Sequence, residues 1–255
     1  MSYYIASCSC GKDSLALVYR LIKEQAPLNE IVFYDTGMEF DSIYYNWERL
    51  REYAEAKGVK CTVLLPQCSF LYMMFEQPHT SRKDGITRCG YSWCGGVCRW
   101  GTHEKLIALD KYCEQLNAYC YVGIAADELR RLEKERKAYK LFPLIDWNMT
   151  EADCLSYCRK RGIGWIEKCT SRIEQEFFID LYNYLDRVSC WCCGNKNHWE
   201  LYNMWRYLPH YWDKLCDLQR RNERPFKKPY SVFDMQARFE NGYVPKHRTK
   251  KERTP

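Results

Sequence analysis

The first 65 residues alternate β-rich and helical patterns, and that alternation restricts the chain more than any other feature. Tyr3 to Ser7 is a short apolar run that reads as a buried strand. Ser14 to Glu24 carries Leu15, Val18, Leu21 and Ile22 at helical spacing. Glu30 to Tyr34, EIVFY, is a second β-rich run, followed by a turn at Asp35-Thr36-Gly37. Ile43 to Lys57 reads as an amphipathic helix that stops at Gly58, a good C-cap residue. Cys61 to Leu65, CTVLL, is a third strand. A β-α-β-α-β order needs crossover connections, and these favour parallel strands with helices on the sheet faces. The predicted fold class is α/β, a doubly wound parallel sheet.

Further along, residues 78 to 101 hold a proline, five glycines and three cysteines and read as a long functional loop. A helix is predicted from Thr102 to Asn117 and a fourth strand over Ala118 to Ile124. Glu128 to Lys140 is charged and reads as loop or helix. Thr150, with Asp153 three residues on, is the N-cap of a helix that ends near Gly162. From Gly164 the chain reads as mixed helix and loop, rich in Trp, Tyr and Cys. The sequence has no internal repeat and no low-complexity linker. The expected organisation is an α/β domain over residues 1–163 and a helical, cysteine-rich extension over 164–255 with a basic tail.

The turn between the first strand and the first helix reads Ser7-Cys8-Ser9-Cys10-Gly11-Lys12-Asp13-Ser14. A strand-to-helix turn points its free N–H groups at whatever sits on the helix N-terminus. Gly11 lets the backbone approach closely. Lys12 supplies a point charge for phosphate oxygens, and Ser9 and Ser14 supply hydroxyl donors. The stretch is not a GxxxxGK[ST] loop.

It resembles the SGGKDS pyrophosphate loop of the N-type ATP pyrophosphatases and sulfonucleotide reductases, with Cys10 where that family has its first glycine. Three more stretches fit the same family in its order. Asp35-Thr36-Gly37 is similar to its DTG segment, with Asp35 at the carboxyl end of a parallel strand. Val122 to Arg131 resembles its "VG.R..ES.RR" segment. The resemblance implies that Gly123 gives close approach beneath the nucleotide and that Arg130 and Arg131 meet the anionic end of a substrate, with Leu129 in place of the serine. Phe142 to Asp153 is similar to its "P[LI]..W…D" segment and is read as structural. Arg99 and Lys105 lie in a stretch like the family's "R.CT..K", with Gly101 in place of the cysteine. The likeness is closest to the phosphoadenosine phosphosulfate reductase-like branch. It implies an adenine nucleotide at the sheet's carboxyl edge, bound by Ser7, Ser9, Gly11, Lys12, Asp13, Ser14, Asp35, Thr36, Gly37, Arg99, Lys105, Gly123, Arg130 and Arg131. Lys12, Asp13 and Asp35 are the expected catalytic residues.

Sixteen cysteines among 255 residues is the abnormal count. The start, MSYYIASCSCGKDS, lacks the basic and apolar regions of a signal peptide, so free thiols are expected rather than a disulfide framework. Cys94 and Cys98 form a CxxxC, and Cys190 and Cys193 form a CxxC. Two such pairs can make a four-sulfur site for iron–sulfur or zinc. The pattern resembles the paired cysteines that hold a [4Fe–4S] cluster in some adenylylsulfate-type reductases and thiolation enzymes of the same superfamily. Iron–sulfur, zinc and no metal all stay open, with Cys94, Cys98, Cys190 and Cys193 as the ligand set and Cys89 and Cys192 as substitutes. Cys61, Cys113, Cys120, Cys154 and Cys158 lie on apolar faces and read as core.

Two reactions fit the resemblance. ATP with Mg²⁺ would lose pyrophosphate as an acceptor oxygen attacks the α-phosphorus, with sulfur transfer or amidation to follow. Alternatively, a cysteine thiolate would attack the sulfur of a sulfonucleotide (APS or PAPS), with sulfite as the final product and a thioredoxin-like reductant. The reductases' ECGLH-like motif is absent, and the one cysteine after Cys193 is Cys216, in an apparent helix. That tilts the reading to ATP cleavage with a sulfur donor. A non-catalytic nucleotide- or nucleic-acid-binding module stays open, because the extension is aromatic and the formal charge is +6. A homodimer is equally open. No apolar run approaches the ~18–20 residues of a membrane span, so a soluble, cytoplasmic protein is expected.

Overall fold

A computed structural model describes residues 2–81, 83–94, 98–128, 131, 137–170 and 176–247. The chain forms two compact units, one from residues 1–67 and 99–165, the other from 68–98 and 166–255. The sequence boundary at 163 therefore misses one feature. The loop after residue 67, expected in the α/β domain, belongs to the unit that holds the extension.

The first unit is a five-stranded sheet with helices. In chain order its elements are β1 (Tyr3–Cys8), α1 (Lys12–Lys23), β2 (Glu30–Tyr34), α2 (Asp41–Glu55) and β3 (Lys60–Leu64). They continue with α3 (Lys105–Gln115), β4 (Ala118–Val122), β5 (Lys140–Leu141), α4 (Pro143–Asp146) and α5 (Glu151–Arg159). The strand order is β3-β2-β1-β4-β5, and every pairing is parallel. Beside β1 the order reverses: β2 lies on one side and β4 on the other, with Ser7 opposite Val32 and Val122. Ligands of open α/β sheets bind at such a reversal, beyond the carboxyl ends of the strands.

Helices on both faces explain why β2 reads as a continuous apolar run, and all five of its residues are buried. The one acid among them, Glu30, accepts hydrogen bonds from Tyr3 (3.0 Å), Tyr112 (2.8 Å) and Thr62, and pairs with Lys60 at 3.1 Å. Burial pushes its carboxyl up, but those donors outweigh burial and hold it below the ordinary value. Cys113 and Cys120 pack with Ile5, Val32, Leu109 and Ala118, and Cys154 and Cys158 are fully buried, as expected of core thiols. Cys61 is half-buried. Thr150 caps α5 in a complete capping box with Asp153.

Three elements differ from those expected. The predicted helix from Thr102 begins as a π-type turn over Arg99–Glu104, and regular α3 starts at Lys105. In the second unit, the segment after Gly164 contains an antiparallel hairpin, Ile166–Thr170 with Glu176–Asp180. Its alternation is inverted: Glu167 is buried, bonded by the Tyr211 hydroxyl at 3.2 Å, while Ile166 is exposed. An apolar-in, polar-out template does not find it. A second short hairpin pairs Pro78–Thr80 with Thr87–Cys89 inside the expected loop. The unit also has helices at Phe70–Phe75, His198–Tyr207, Pro209–Arg220 and Val232–Glu240. No described helix is long and apolar enough to cross a membrane.

Candidate functional site

Gly11 is the N-cap of α1 in extended conformation, and no side chain caps the helix. The turn is organised instead by the Ser14 hydroxyl. It donates to the Gly11 carbonyl at 3.1 Å, accepts from the Ser9 N–H at 3.2 Å and lies 3.3 Å from the Ser9 hydroxyl. Ser9 and Ser14 thus shape the loop from within. Cys10 adopts φ +55°, the left-handed region that a glycine occupies without cost. The family's glycine at this place is therefore a conformational requirement that Cys10 meets under strain. Two buried contacts hold it there. The Trp165 indole N–H donates to the Cys10 carbonyl at 2.7 Å, and the Cys10 sulfur lies 3.8 Å from that of Cys8. Burial pushes the Cys10 thiol well above its ordinary value. Ser7 sits one residue deeper, paired within the sheet.

Gly123, just past β4, explains how the loop is seated. A β-carbon there would stand 3.1 Å from the Ser14 α-carbon and nitrogen and 3.2 Å from the Asp13 carbonyl carbon. The close approach expected of Gly123 is to the loop's own backbone.

Lys12 does not project freely. Its side chain is buried, with the ammonium 3.2 Å from Asp13 and 3.5 Å from Glu151. Burial draws its ionisation down, but Asp13 and Glu151 outweigh that and hold the ammonium above its ordinary value. Asp13 is pushed up to about 6, chiefly by burial, with Lys12 opposing and Glu151 and Glu128 adding to the rise. Carboxylate oxygens of Asp13, Glu128 and Glu151 lie within 4.8 Å of one another, the one such acidic, histidine or cysteine group among the described residues. Three half-buried oxygens suit a hard divalent cation such as Mg²⁺. Glu128 and Glu151 are missing from the sequence reading, because each sits in a stretch with an ordinary explanation. Glu128 lies in a charged run and Glu151 opens a capped helix. The Glu151 N–H donates to Asp127 at 3.0 Å, which fixes the start of α5 beside Glu128.

Asp35 closes the turn after β2. Its carboxylate accepts from the Gly37 N–H at 2.7 Å and the Tyr44 hydroxyl at 2.8 Å, and Gly37 has φ +72°. Thr36 is buried and donates to Glu39 at 2.9 Å. Of the expected cations, Lys105 starts α3, and its charge acts on the Cys8 and Cys10 thiols. Arg99 is exposed at the head of the π-type turn. Arg131 pairs with Glu128 at 2.8 Å, which ties it to the acidic group. Arg130 lies outside the described residues.

The four expected cysteine ligands all belong to the second unit, all are half-buried, and none is in a disulfide. Of the substitutes, Cys89 is exposed and Cys192 is buried. The first loop is anchored on either side of its glycine and tryptophan. Gly90 leaves no room for a β-carbon, which would stand 2.2 Å from the Met74 carbonyl. The Ser92 hydroxyl donates to Asn222 at 2.6 Å, and buried Trp93 meets the edge of Phe226 at 4.7 Å. The second loop is a turn in which the Cys193 N–H donates to the Cys190 carbonyl at 3.1 Å. The loops touch: a β-carbon at Gly194 would stand 3.1 Å from the Cys94 carbonyl oxygen. No three of the four sulfurs lie within 4.8 Å of one another.

The family model described as "Phosphoadenosine phosphosulfate reductase domain" matches residues 3–167. A curated relative, "Uncharacterized protein MJ0066" of Methanocaldococcus jannaschii, is 26% identical over 225 residues, which cover 83% of this chain and 40% of the relative. The chain thus spans about two fifths of that relative's length. Among solved structures, the U34-tRNA thiolase NcsA from Methanococcus maripaludis, with its [4Fe–4S] cluster, is similar at 12% identity and a TM-score of 0.45. That match covers 94% of this chain and 71% of NcsA.

Proposed function

This chain belongs to the phosphoadenosine phosphosulfate reductase domain family, and from that premise we propose that it binds ATP at the carboxyl edge of its sheet and cleaves it between the α- and β-phosphates. The product is an adenylylated acceptor ready for sulfur transfer. The observation that carries this reading is the loop from Ser9 to Ser14, uncapped at the helix start and seated by Gly123 at the reversal of strand order. The N–H groups at the start of α1 would stabilise charge that develops on the departing pyrophosphate. Lys12 adds positive charge in the same turn. Asp13, Glu128 and Glu151 would hold Mg²⁺, which offsets phosphate charge when bound. Arg99, Lys105, Arg130 and Arg131 are the proposed contacts for the anionic end of the substrate.

Cys216 favours ATP over a sulfonucleotide. It is buried in the helix Pro209–Arg220, with its sulfur 3.6 Å from the Gln236 amide oxygen. A thiolate that attacks sulfate sulfur needs access to it.

Cys94, Cys98, Cys190 and Cys193 form the proposed sulfur centre. A tetrahedral zinc draws its thiolates to roughly 3.8 Å apart, given Zn–S bonds of ~2.3 Å. A [4Fe–4S] cluster, with each cysteine on its own iron, holds its four thiolates farther apart, and it is the form of this centre that we propose. Such a cluster, held by four cysteines, would supply an electron-transfer or structural centre.

The test is product analysis. Protein purified without oxygen, given ATP, Mg²⁺ and candidate acceptors including tRNA, should release pyrophosphate. Sulfite from a sulfonucleotide and reduced thioredoxin would replace this reading with the reductase one. Nucleotide or nucleic-acid binding without either product would make the chain a binding module. Iron and sulfide analysis of the same preparation tests the cluster.

A further inference from the structure

Lys227 is a half-buried lysine that the reaction outlined above does not use. Its main chain is fixed from both sides. The Lys227 N–H donates to the Tyr230 carbonyl at 2.9 Å, the Tyr230 N–H returns a bond at 2.6 Å, and the preceding Phe226 N–H donates to Gln219 at 3.0 Å. Phe226 itself is the partner of Trp93 in the first cysteine loop. From this base the Lys227 ammonium reaches the second cysteine loop, where it donates to the Gly194 carbonyl at 3.2 Å and to the Lys196 carbonyl. These are its partners among the described residues, and neither is a carboxylate.

That arrangement is expensive for a lysine. Two carbonyls satisfy its donors but leave its charge unbalanced, and a desolvated charge needs an opposite one nearby. The groups that face it are few. Cys193 acts on it first among the acids, then Glu200, while Arg187 opposes; His198 and Arg238 lie on the same side. Glu200 acts on it through space without an ion pair, its two oxygens accepting the main-chain N–H groups of Arg187 (3.2 Å) and Asn197 (2.8 Å). A second ammonium, that of Lys196, is buried under the same turn, 3.4 Å from the Ser189 hydroxyl. Two ammonium groups, those of Lys227 and Lys196, thus reach the segment that carries the CxxC turn.

We propose that Lys227 is a positioning residue of the cysteine centre: it ties the Cys190–Lys196 turn through two carbonyls and places a positive charge beside Cys193 to balance an anionic cluster of thiolates. This inference rests on the sulfur-centre reading above. It concerns the charge around that centre in its iron–sulfur form. A nearby positive charge favours the more negative, reduced state and strengthens retention of anionic ligands.

The experiment compares the parent with Lys227→Gln, Lys227→Arg and Lys227→Met after anaerobic reconstitution with ferrous iron and sulfide. Glutamine keeps an N–H donor for the carbonyls and removes the charge. Arginine keeps the charge, and methionine removes both. Circular dichroism and melting temperature report folding. Iron content, midpoint potential and the rate of iron loss to a chelator report the centre. Expected is a folded Lys227→Gln protein whose midpoint shifts to more negative potential and whose iron is lost several-fold faster. Lys227→Arg should recover most of both. A Lys227→Gln protein that matches the parent in potential and iron retention overturns the electrostatic role, even where Lys227→Met fails to fold. A parent that takes up no iron overturns the sulfur-centre reading, and this role with it.

Discussion

The backbone of Gly123 abuts that of Ser14, so that a β-carbon at position 123 would stand 3.1 Å from the Ser14 α-carbon. The contact joins the exit of β4 to the first turn of α1, the two sides of the reversal in strand order. Both partners are main chain, so neither can rotate away. Gly123→Ala should push the Ser9–Ser14 loop outward by a few tenths of an ångström. The expected result is a folded protein destabilised by about 1–2 kcal/mol with ATP affinity lowered roughly tenfold. Calorimetric titration beside a melting curve checks both. Unchanged affinity would mean the loop does not hold the nucleotide.

Trp165 reaches the same loop from the far end of the first unit. Its indole N–H on the Cys10 carbonyl is buried at 2.7 Å. Trp165→Phe keeps most of the ring packing and leaves that carbonyl without its donor. A loss of about 1–3 kcal/mol follows from an unsatisfied buried carbonyl. Nucleotide affinity should fall in parallel, because the strained residue is no longer held. A denaturant midpoint and an ATP titration on one preparation measure the two effects.

Most of the α/β frame was legible because its signals are local. Glu30–Tyr34 is buried on both faces and reads as an apolar run, and Thr150 with Asp153 announces its own helix start. The loop and the glycine that seats it were legible as motifs. What escaped depends on contacts distant in sequence. Glu151 joins Asp13 only because α5 packs beside α1. Trp165 meets Cys10 across 155 positions of chain. The assignment of residues 68–98 to the second unit rests on Gly90, Ser92 and Trp93 contacts that no periodicity encodes.

Asp13 gives a pH signature. Its folded value of about 6 lies above the ordinary 3.8, so the folded state binds this proton more tightly than the unfolded chain. The stability this contributes is full below about pH 4 and is lost as pH rises through 6. Above that the ionised carboxylate is a net cost of at most about 2–3 kcal/mol. Asp13→Asn should therefore match the parent near pH 4 and exceed it above about pH 7, with Glu151 left as the partner of Lys12. Urea midpoints across that range test this. Mg²⁺ bound by Asp13, Glu128 and Glu151 favours the ionised form, so added Mg²⁺ should narrow the gap in the parent's favour.

Cys10 separates conformational need from side-chain chemistry. With φ at +55°, every non-glycine residue here bears a backbone cost of roughly 1 kcal/mol. Cys10→Gly removes that cost and gives up the buried thiol's packing and its contact with Cys8, so net stability should change by less than about 1 kcal/mol. Nucleotide affinity should hold or rise, since the loop then has the family's own residue. Cys10→Val adds a β-branch at the same φ and should cost about 2 kcal/mol or more, with affinity falling as the loop distorts. The pair is read by melting temperature and ATP titration under reducing conditions. If glycine abolishes binding while valine preserves it, the thiol matters for its chemistry and the loop is no phosphate cradle of this family's kind.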